Sequence, residues 1–254
     1  MIAATAIVQS LLSLQMTGFS LRGTIFFNNP NQLGYFSLLT ASILFLNLRY
    51  LNYYRILTIL GIAASFYMSL LSLSKAAMLG LGLLYLLHLI QKPLRMIFFI
   101  FILCLTYCIL VETPFIIDLY NSPILLNAIN RIQDIGHSGD DSLQGRGFDR
   151  IINHSNYLLF GAGEGVYDRF DSYISGELHS TWGTLLFSYG IFGFLLYLFG
   201  LIKIVKTSGA SAGLYLLPSI FYGFTHQGLR FTSFWILLSV IFVIRMSINK
   251  PTKM

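Results

Sequence analysis

Three polar residues near the middle of the chain have types and a spacing that suit a phosphate group. Arg150 and Asn153 follow Arg146 at four and seven residues, so one face of a helix would present all three side chains. A guanidinium group binds phosphate oxygens through two parallel hydrogen bonds and does not lose its charge. The alternative is that these arginines pair with Asp149 or with other carboxylates nearby.

A second cation of interest, Arg22, lies in a short polar link near the start of the chain. No acidic residue occurs in the first 111 residues, so Arg22 has no carboxylate near it in the sequence. A cation without a local partner at the mouth of a helix bundle is a candidate for binding an anion. Snorkelling of the side chain to a membrane interface is the competing explanation.

His179 is the candidate proton acceptor. It stands directly before an apolar run, and Ser180 or Thr181 is predicted to cap the helix that begins there. The positive end of a helix dipole disfavours a charged imidazole, so we expect His179 to be neutral and able to act as a general base. Glu177 could orient the ring. A structural role for a lone histidine at a helix boundary is the alternative.

The glycine-rich segment Gly161-Ala162-Gly163-Glu164-Gly165 resembles a phosphate-binding loop only superficially. It follows a predicted helix rather than a strand, and no Lys-Ser or Lys-Thr pair comes after it, so tight packing or a turn is predicted. No His and Cys cluster has the spacing of a zinc or iron site, and no Asp-x-Asp pair indicates a divalent cation. We therefore expect neither a metal nor a cofactor.

The elements that would hold these residues are strongly apolar. Of the 254 residues, 56% are hydrophobic and only 10% are charged, which lies outside the range of ordinary soluble domains. About 20 apolar residues cross a bilayer as a helix, and continuous apolar runs favour helices over a membrane barrel. We predict an all-α polytopic membrane protein with about eight transmembrane helices, at 2–18, 33–48, 56–73, 76–91, 95–111, 180–202, 211–226 and 231–248.

The acidic residues predict one large loop outside the membrane. All ten fall between Glu112 and Glu177, which marks 112–178 as this loop, between the helices of 1–111 and those of 179–254. Lys and Arg prefer cytoplasmic loops, which places both termini inside and the loop on the extracytoplasmic side. Within it, three parts are expected, namely a membrane-surface stretch at 112–130, a turn-rich stretch at 136–142 and a short amphipathic helix at 147–159.

Six short motifs occur along the chain in a fixed order. They are Arg22 with Asn28-Asn29-Pro30-Asn31, Ser74-Lys75, Gly145-Arg146, Gly161-Ala162-Gly163, Glu177-Leu178-His179-Ser180-Thr181-Trp182 and Ser188-Tyr189-Gly190-Ile191-Phe192-Gly193. Over residues 20–200 this set resembles the O-antigen polymerase and O-antigen ligase family. Lys75 stands where that family more often has arginine, and Ser180 where many of its members have asparagine.

The resemblance implies a polytopic membrane glycosyltransferase of GT-C-like architecture in the bacterial cytoplasmic membrane, with its active side extracytoplasmic. Its donor would be a glycan carried on undecaprenyl diphosphate, used without metal, cofactor or nucleotide sugar. Members of the family have more membrane helices than the eight predicted from this sequence. The chain is therefore expected to be a short member or to lack helices that precede Met1.

The resemblance also implies roles for individual residues, which would have to converge in the folded protein. Arg22 and Arg146 would hold the diphosphate and stabilise the charge that develops on it when it leaves. His179 would deprotonate the acceptor hydroxyl. The further substrate-binding residues would be Arg150 and Asn31, with Glu177 in a supporting role.

Three functions remain open from the sequence. The leading prediction is polymerisation of lipid-linked oligosaccharide repeat units into O-antigen, capsule or exopolysaccharide, and the alternative within the class is a ligase that passes the glycan to lipid A core or another acceptor. A transporter or flippase is less consistent with the sequence, because the predicted spans contain no acidic residue that could couple transport to an ion. Expected partners are the bilayer, the glycan donor and a chain-length regulator or flippase of the same pathway. Nucleic acid is not expected as a partner, because the basic residues behind the net charge of +6 are distributed as membrane topology requires.

Overall fold

The described part of the chain is helical and forms two compact units. One unit comprises residues 1–45 and 54–134, and the other comprises residues 46–53 and 135–254. Every regular element in the described residues is a helix and none is a strand, which confirms the all-α prediction. The computed structural model describes residues 1–16, 22–110 and 142–248, together with 121, 126–127, 129–130 and 133.

The first unit packs apolar helices through small residues. Its helices are α1 (Ile2–Met16), α2 (Pro30–Leu46), α3 (Arg55–Ser72), α4 (Lys75–Ile90) and α5 (Pro93–Leu110). Ala6, Leu33 and Met68 are fully buried where α1, α2 and α3 meet. A side chain at Gly61 would come within 2.9 Å of the Ala3 Cβ, so this glycine lets α1 and α3 approach closely.

The second unit contains the described part of the predicted loop together with the last apolar helices. Its helices are α6 (Asp149–Asn153), α7 (Thr181–Ser208), α8 (Ala210–Gly213), α9 (Leu217–Thr225) and α10 (Thr232–Ile248). Phe170, Leu178 and Phe187 form a buried cluster, against which Phe148 and Ile151 pack. The loop is therefore folded onto α7, and the predicted boundary between residues 178 and 179 falls inside one unit.

The amphipathic helix predicted at 147–159 is shorter than expected. The α-helix covers only Asp149–Asn153, and a 3₁₀ turn at Ser155–Tyr157 follows it. Ile152, an apolar residue of this helix, is 75% exposed. The predicted stretches 112–130 and 136–142 lie almost entirely outside the described residues.

Two of the predicted membrane helices are interrupted. In α7 the backbone leaves the helical region at Gly190, with φ 69° and ψ −177°, so the element consists of segments 181–189 and 191–208. The run predicted at 211–226 consists of α8, a 3₁₀ turn at Leu214–Leu216 and α9. Pro218, in the first turn of α9, has no N–H to continue a helical hydrogen-bond ladder from the preceding residues.

Only two described helices meet the length and hydropathy of a membrane span, α3 and α7, fewer than the eight predicted. Apolar helices such as α4, with 16 residues, are shorter. At 1.5 Å per residue they reach about 24 Å, against about 30 Å for a bilayer core. Within the two spans, only 39% and 28% of the residues are buried, whereas the core helix of a soluble protein is mostly buried. Both therefore expose apolar surface, including Ile56 and Leu196.

Candidate functional site

Arg146 lies at the end of a tight turn that leads into α6. The Ser142 hydroxyl accepts a hydrogen bond from the Gly145 N–H at 2.9 Å, and the Ser142 carbonyl accepts one from the Arg146 N–H at 3.1 Å. Gly147 has a φ of 77°, which glycine adopts without steric cost. The turn fixes the main chain of Arg146, whose side chain is half-buried.

His179 lies beside Arg146. The His179 N–H donates a hydrogen bond of 3.1 Å to the Arg146 carbonyl, and His179 is an exposed residue. Ser180 caps α7 by accepting a hydrogen bond of 3.1 Å from the Gly183 N–H, which confirms the predicted cap. The two residues with predicted anion-binding and base roles are thus neighbours, although they are distant in sequence.

The end of α9 completes this arrangement. The Arg146 guanidinium donates to the Thr225 carbonyl, at the helix end where the dipole favours a cation. Thr181 donates through its N–H and its hydroxyl to the His226 carbonyl, at 3.1 and 3.0 Å. We call this group the Arg146 junction, formed by Arg146, His179, Ser180, Thr181, Thr225 and His226.

The junction contains a second imidazole that the sequence reasoning missed. The His226 ring stacks on Tyr222 with centroids 4.7 Å apart, and its Nδ1 lies 2.9 Å from the Thr225 hydroxyl. The sequence feature that could have indicated His226 is a short polar stretch, residues 226–230, between two apolar runs. Its position in the fold depends on contacts with α7 that no local pattern indicates.

Arg150 does not reach the surface. It is fully buried, and its guanidinium donates to the Ser172 hydroxyl at 2.8 Å and to the Ile174 carbonyl. Burial lowers the pKa of Arg150, although Asp149 opposes that shift. The predicted face of Arg146, Arg150 and Asn153 is therefore not formed, because α6 ends after five residues with Arg150 directed inward. The structure gives Arg150 a role in holding the loop together, and its contact with a substrate stays a prediction.

Arg230 pairs with two carboxylates of the predicted loop, those of Glu164 and Glu177. Its guanidinium lies 2.9 Å from Glu177 and 3.1 Å from Glu164, and it donates to the Tyr167 hydroxyl at 3.2 Å. Burial lowers the pKa of Arg230, but the hydrogen bond to Glu164 and the charge of Glu177 outweigh it and raise the pKa overall. The Glu177 carboxylate pairs with Arg230, and its predicted support of His179 stays a prediction. We call these four residues the Arg230 cluster.

The glycine-rich segment is a packing turn, as predicted. The N–H groups of Ala162 and Gly163 donate to the carbonyls of Phe187 and Ser188 at 2.8 and 2.9 Å, and the Ile191 N–H donates to Leu158 at 2.8 Å. These bonds satisfy backbone groups that the break at Gly190 would otherwise leave unpaired. Arg169 donates a hydrogen bond to the Ala162 carbonyl of this turn.

Arg22 and Asn31 meet in the first unit. The Arg22 guanidinium donates to the Asn31 side-chain oxygen at 3.0 Å and to the Ser72 carbonyl at 3.1 Å. Two of the six motifs are therefore adjacent, because Ser72 ends α3 and Ser74 precedes α4. Leu73 between them has a left-handed φ of 48°, which turns the chain within one residue. Convergence of Arg22 with the Arg146 junction stays a prediction.

The described residues contain no group of three or more His, Cys, Asp or Glu side chains that could hold a metal ion. The carboxylates of Glu164 and Glu177 share Arg230. The chemistry on offer is thus a half-buried guanidinium and an exposed imidazole on two residues whose main chains are hydrogen-bonded, which suits binding of an anion near a proton acceptor. Comparisons of the chain with protein-family models, with curated proteins and with solved structures found no match.

Proposed function

We propose that this protein is a metal-independent membrane glycosyltransferase that polymerises oligosaccharide repeat units carried on undecaprenyl diphosphate. The observation that carries the proposal is the hydrogen bond from the His179 N–H to the Arg146 carbonyl. It holds the main chain of a candidate base against that of a candidate diphosphate ligand, and both positions belong to the motifs that resemble the O-antigen polymerase and ligase family.

In the proposed reaction Arg146 binds the diphosphate of the donor. The acceptor hydroxyl attacks the anomeric carbon of the donor sugar, and its proton passes to the His179 imidazole. The bond between that carbon and the diphosphate oxygen breaks, and the lipid diphosphate leaves with the electron pair. A fixed guanidinium stabilises the charge gained by the leaving group and lowers the barrier.

A membrane setting supports this chemistry. The helices α3 and α7 expose large apolar side chains along their length, whereas the acidic residues are confined to the predicted loop. A lipid-linked donor would place its diphosphate at the membrane boundary, and His179 lies two residues before the start of α7. We propose the outer face of a bacterial cytoplasmic membrane as the location.

The direct test is polymer formation by the purified full chain in lipid nanodiscs, with a synthetic undecaprenyl-diphosphate-linked repeat unit as substrate. We expect a ladder of products, and Arg146→Ala to abolish it. Arg146→Lys should rescue poorly, because a lysine lacks the paired donors of a guanidinium. Arg169→Ala is the matched control, since it removes an arginine of the same loop whose described hydrogen bond goes to the Ala162 carbonyl.

Unchanged ladders from Arg146→Ala at normal protein levels would remove the proposed diphosphate role. Transfer of a single unit to lipid A core, with no ladder, would instead assign the protein as a ligase. The comparison must include a folding check on every variant, because the Arg146 side chain also bonds to the Thr225 carbonyl.

A further inference from the structure

The Arg230 cluster places two carboxylates close to the Arg146 junction. Glu177 is two residues before His179, so their Cα atoms lie within about 7 Å of each other. Leu178 between them is buried in the core cluster, which fixes this short segment. Glu164 is bound to the same guanidinium as Glu177, so both acidic groups belong to the surroundings of His179.

Stability alone is a poor reason for this arrangement. The Arg230 side chain is 52% exposed, and the Glu164 and Glu177 side chains are 29% and 36% exposed. Ion pairs at such positions typically contribute less than about 1 kcal/mol to folding, because water and salt screen them. One arginine that contacts two carboxylates also leaves the cluster with a net charge of about −1, instead of −2 without it.

We infer that Arg230 neutralises Glu164 and Glu177 so that an anionic diphosphate can approach Arg146. Arg230 is then a positioning residue, which acts through the two carboxylates and does not touch the donor. The inference rests on the proposed function, since it concerns the same diphosphate. It explains why an exposed arginine is held by three side chains at once, Glu164, Glu177 and Tyr167.

The test measures binding of undecaprenyl diphosphate to the full chain in nanodiscs of phosphatidylcholine, a zwitterionic lipid without net charge. Arg230→Gln should weaken binding roughly two- to twentyfold, the effect of one unit charge on another at about 10 Å for dielectric values between those of water and a protein surface. Binding of undecaprenol, which has no diphosphate, should not change. The loss should shrink at high salt, because exposed charges are screened.

A triple variant separates charge from structure. Combining Arg230→Gln with Glu164→Gln and Glu177→Gln removes the unpaired carboxylates, so diphosphate affinity should return to within about twofold of the original protein. If Arg230 served only to hold the loop, the triple variant would bind as poorly as the single one. Lys206→Gln is the control, because it removes one positive charge from an exposed position at the far end of α7.

Three outcomes decide the matter. Weaker binding in Arg230→Gln with recovery in the triple variant supports the inference. Unchanged binding in Arg230→Gln, while Arg146→Ala loses affinity, overturns the inference and leaves the proposed function in place. Unchanged binding in both variants overturns the inference and the proposed diphosphate site together.

Discussion

The break in α7 gives a prediction that depends on geometry alone. Gly190 has φ 69° and ψ −177°, a backbone conformation that is essentially restricted to glycine. A Cβ atom there would lie 2.5 Å from the Leu159 carbonyl oxygen and 2.6 Å from the Gly161 nitrogen. Gly190→Ala must therefore strain the backbone and also push the glycine-rich turn away from the helix.

The cost of Gly190→Ala follows from these two terms. The backbone conformation contributes about 1–3 kcal/mol and the steric overlap about 1–3 kcal/mol, so we expect a loss of about 2–6 kcal/mol in the free energy of unfolding. Equilibrium unfolding in mixed detergent micelles measures this loss. Limited proteolysis at residues 158–166 should become faster in the same variant, because displacing the turn breaks its three backbone hydrogen bonds to α7.

Gly200→Ala is the matched control for this experiment. Gly200 lies in the same element, and nothing lies within 4 Å of a Cβ built on it, so alanine should be neutral or stabilise the helix by up to about 1 kcal/mol. Equal stability of the two variants would refute the close approach of the glycine-rich turn to the break in α7.

Three further predictions concern the loop, the topology and the first unit. Arg150→Lys should lower the free energy of unfolding by about 2–4 kcal/mol, because a buried group loses charge-assisted hydrogen bonds. The control Arg169→Lys, at an exposed position, should lower it by less than about 1 kcal/mol. Equal losses in the two variants would contradict the structural role of Arg150. In a cysteine-free background, Tyr173→Cys should react with an impermeant thiol reagent added to intact cells, and Lys206→Cys only after permeabilisation; the reverse pattern would exclude an extracytoplasmic loop. Arg22→Ala should abolish polymer and Arg22→Lys should rescue poorly, and normal polymer in the alanine variant would remove Arg22 from the proposed reaction.

The sequence predicted the helices better than it predicted their interruptions. Long apolar runs specify helices through burial or lipid contact, and these appear close to their predicted positions. Gly190 sits in such a run, and glycine is common in membrane helices, so nothing local marks it as a break. The break exists because backbone groups of residues 158–163, far away in sequence, bond to the chain on both sides of it.

In the candidate site, too, features set by local sequence were predicted, and features set by distant contacts were not. The cap at Ser180 follows from local sequence and was predicted, as was the packing role of the glycine-rich turn. The burial of Arg150 was not predicted, because its partners Ser172 and Ile174 lie 22 and 24 residues further along the chain. Arg230 was missed for the same reason, since its carboxylates come from the distant loop.

The most direct test of the central claim is turnover of the His179→Ala variant, measured beside its affinity for undecaprenyl diphosphate. Loss of acid–base assistance should lower turnover by about 10²–10⁴-fold while donor affinity stays unchanged. The His154→Ala control, which removes a loop histidine packed against Phe170, should keep turnover within about threefold of the original protein, since a histidine outside the Arg146 junction has no acid–base role to lose. Unchanged turnover in His179→Ala, or an equal fall in both variants, would contradict a general base at the Arg146 junction.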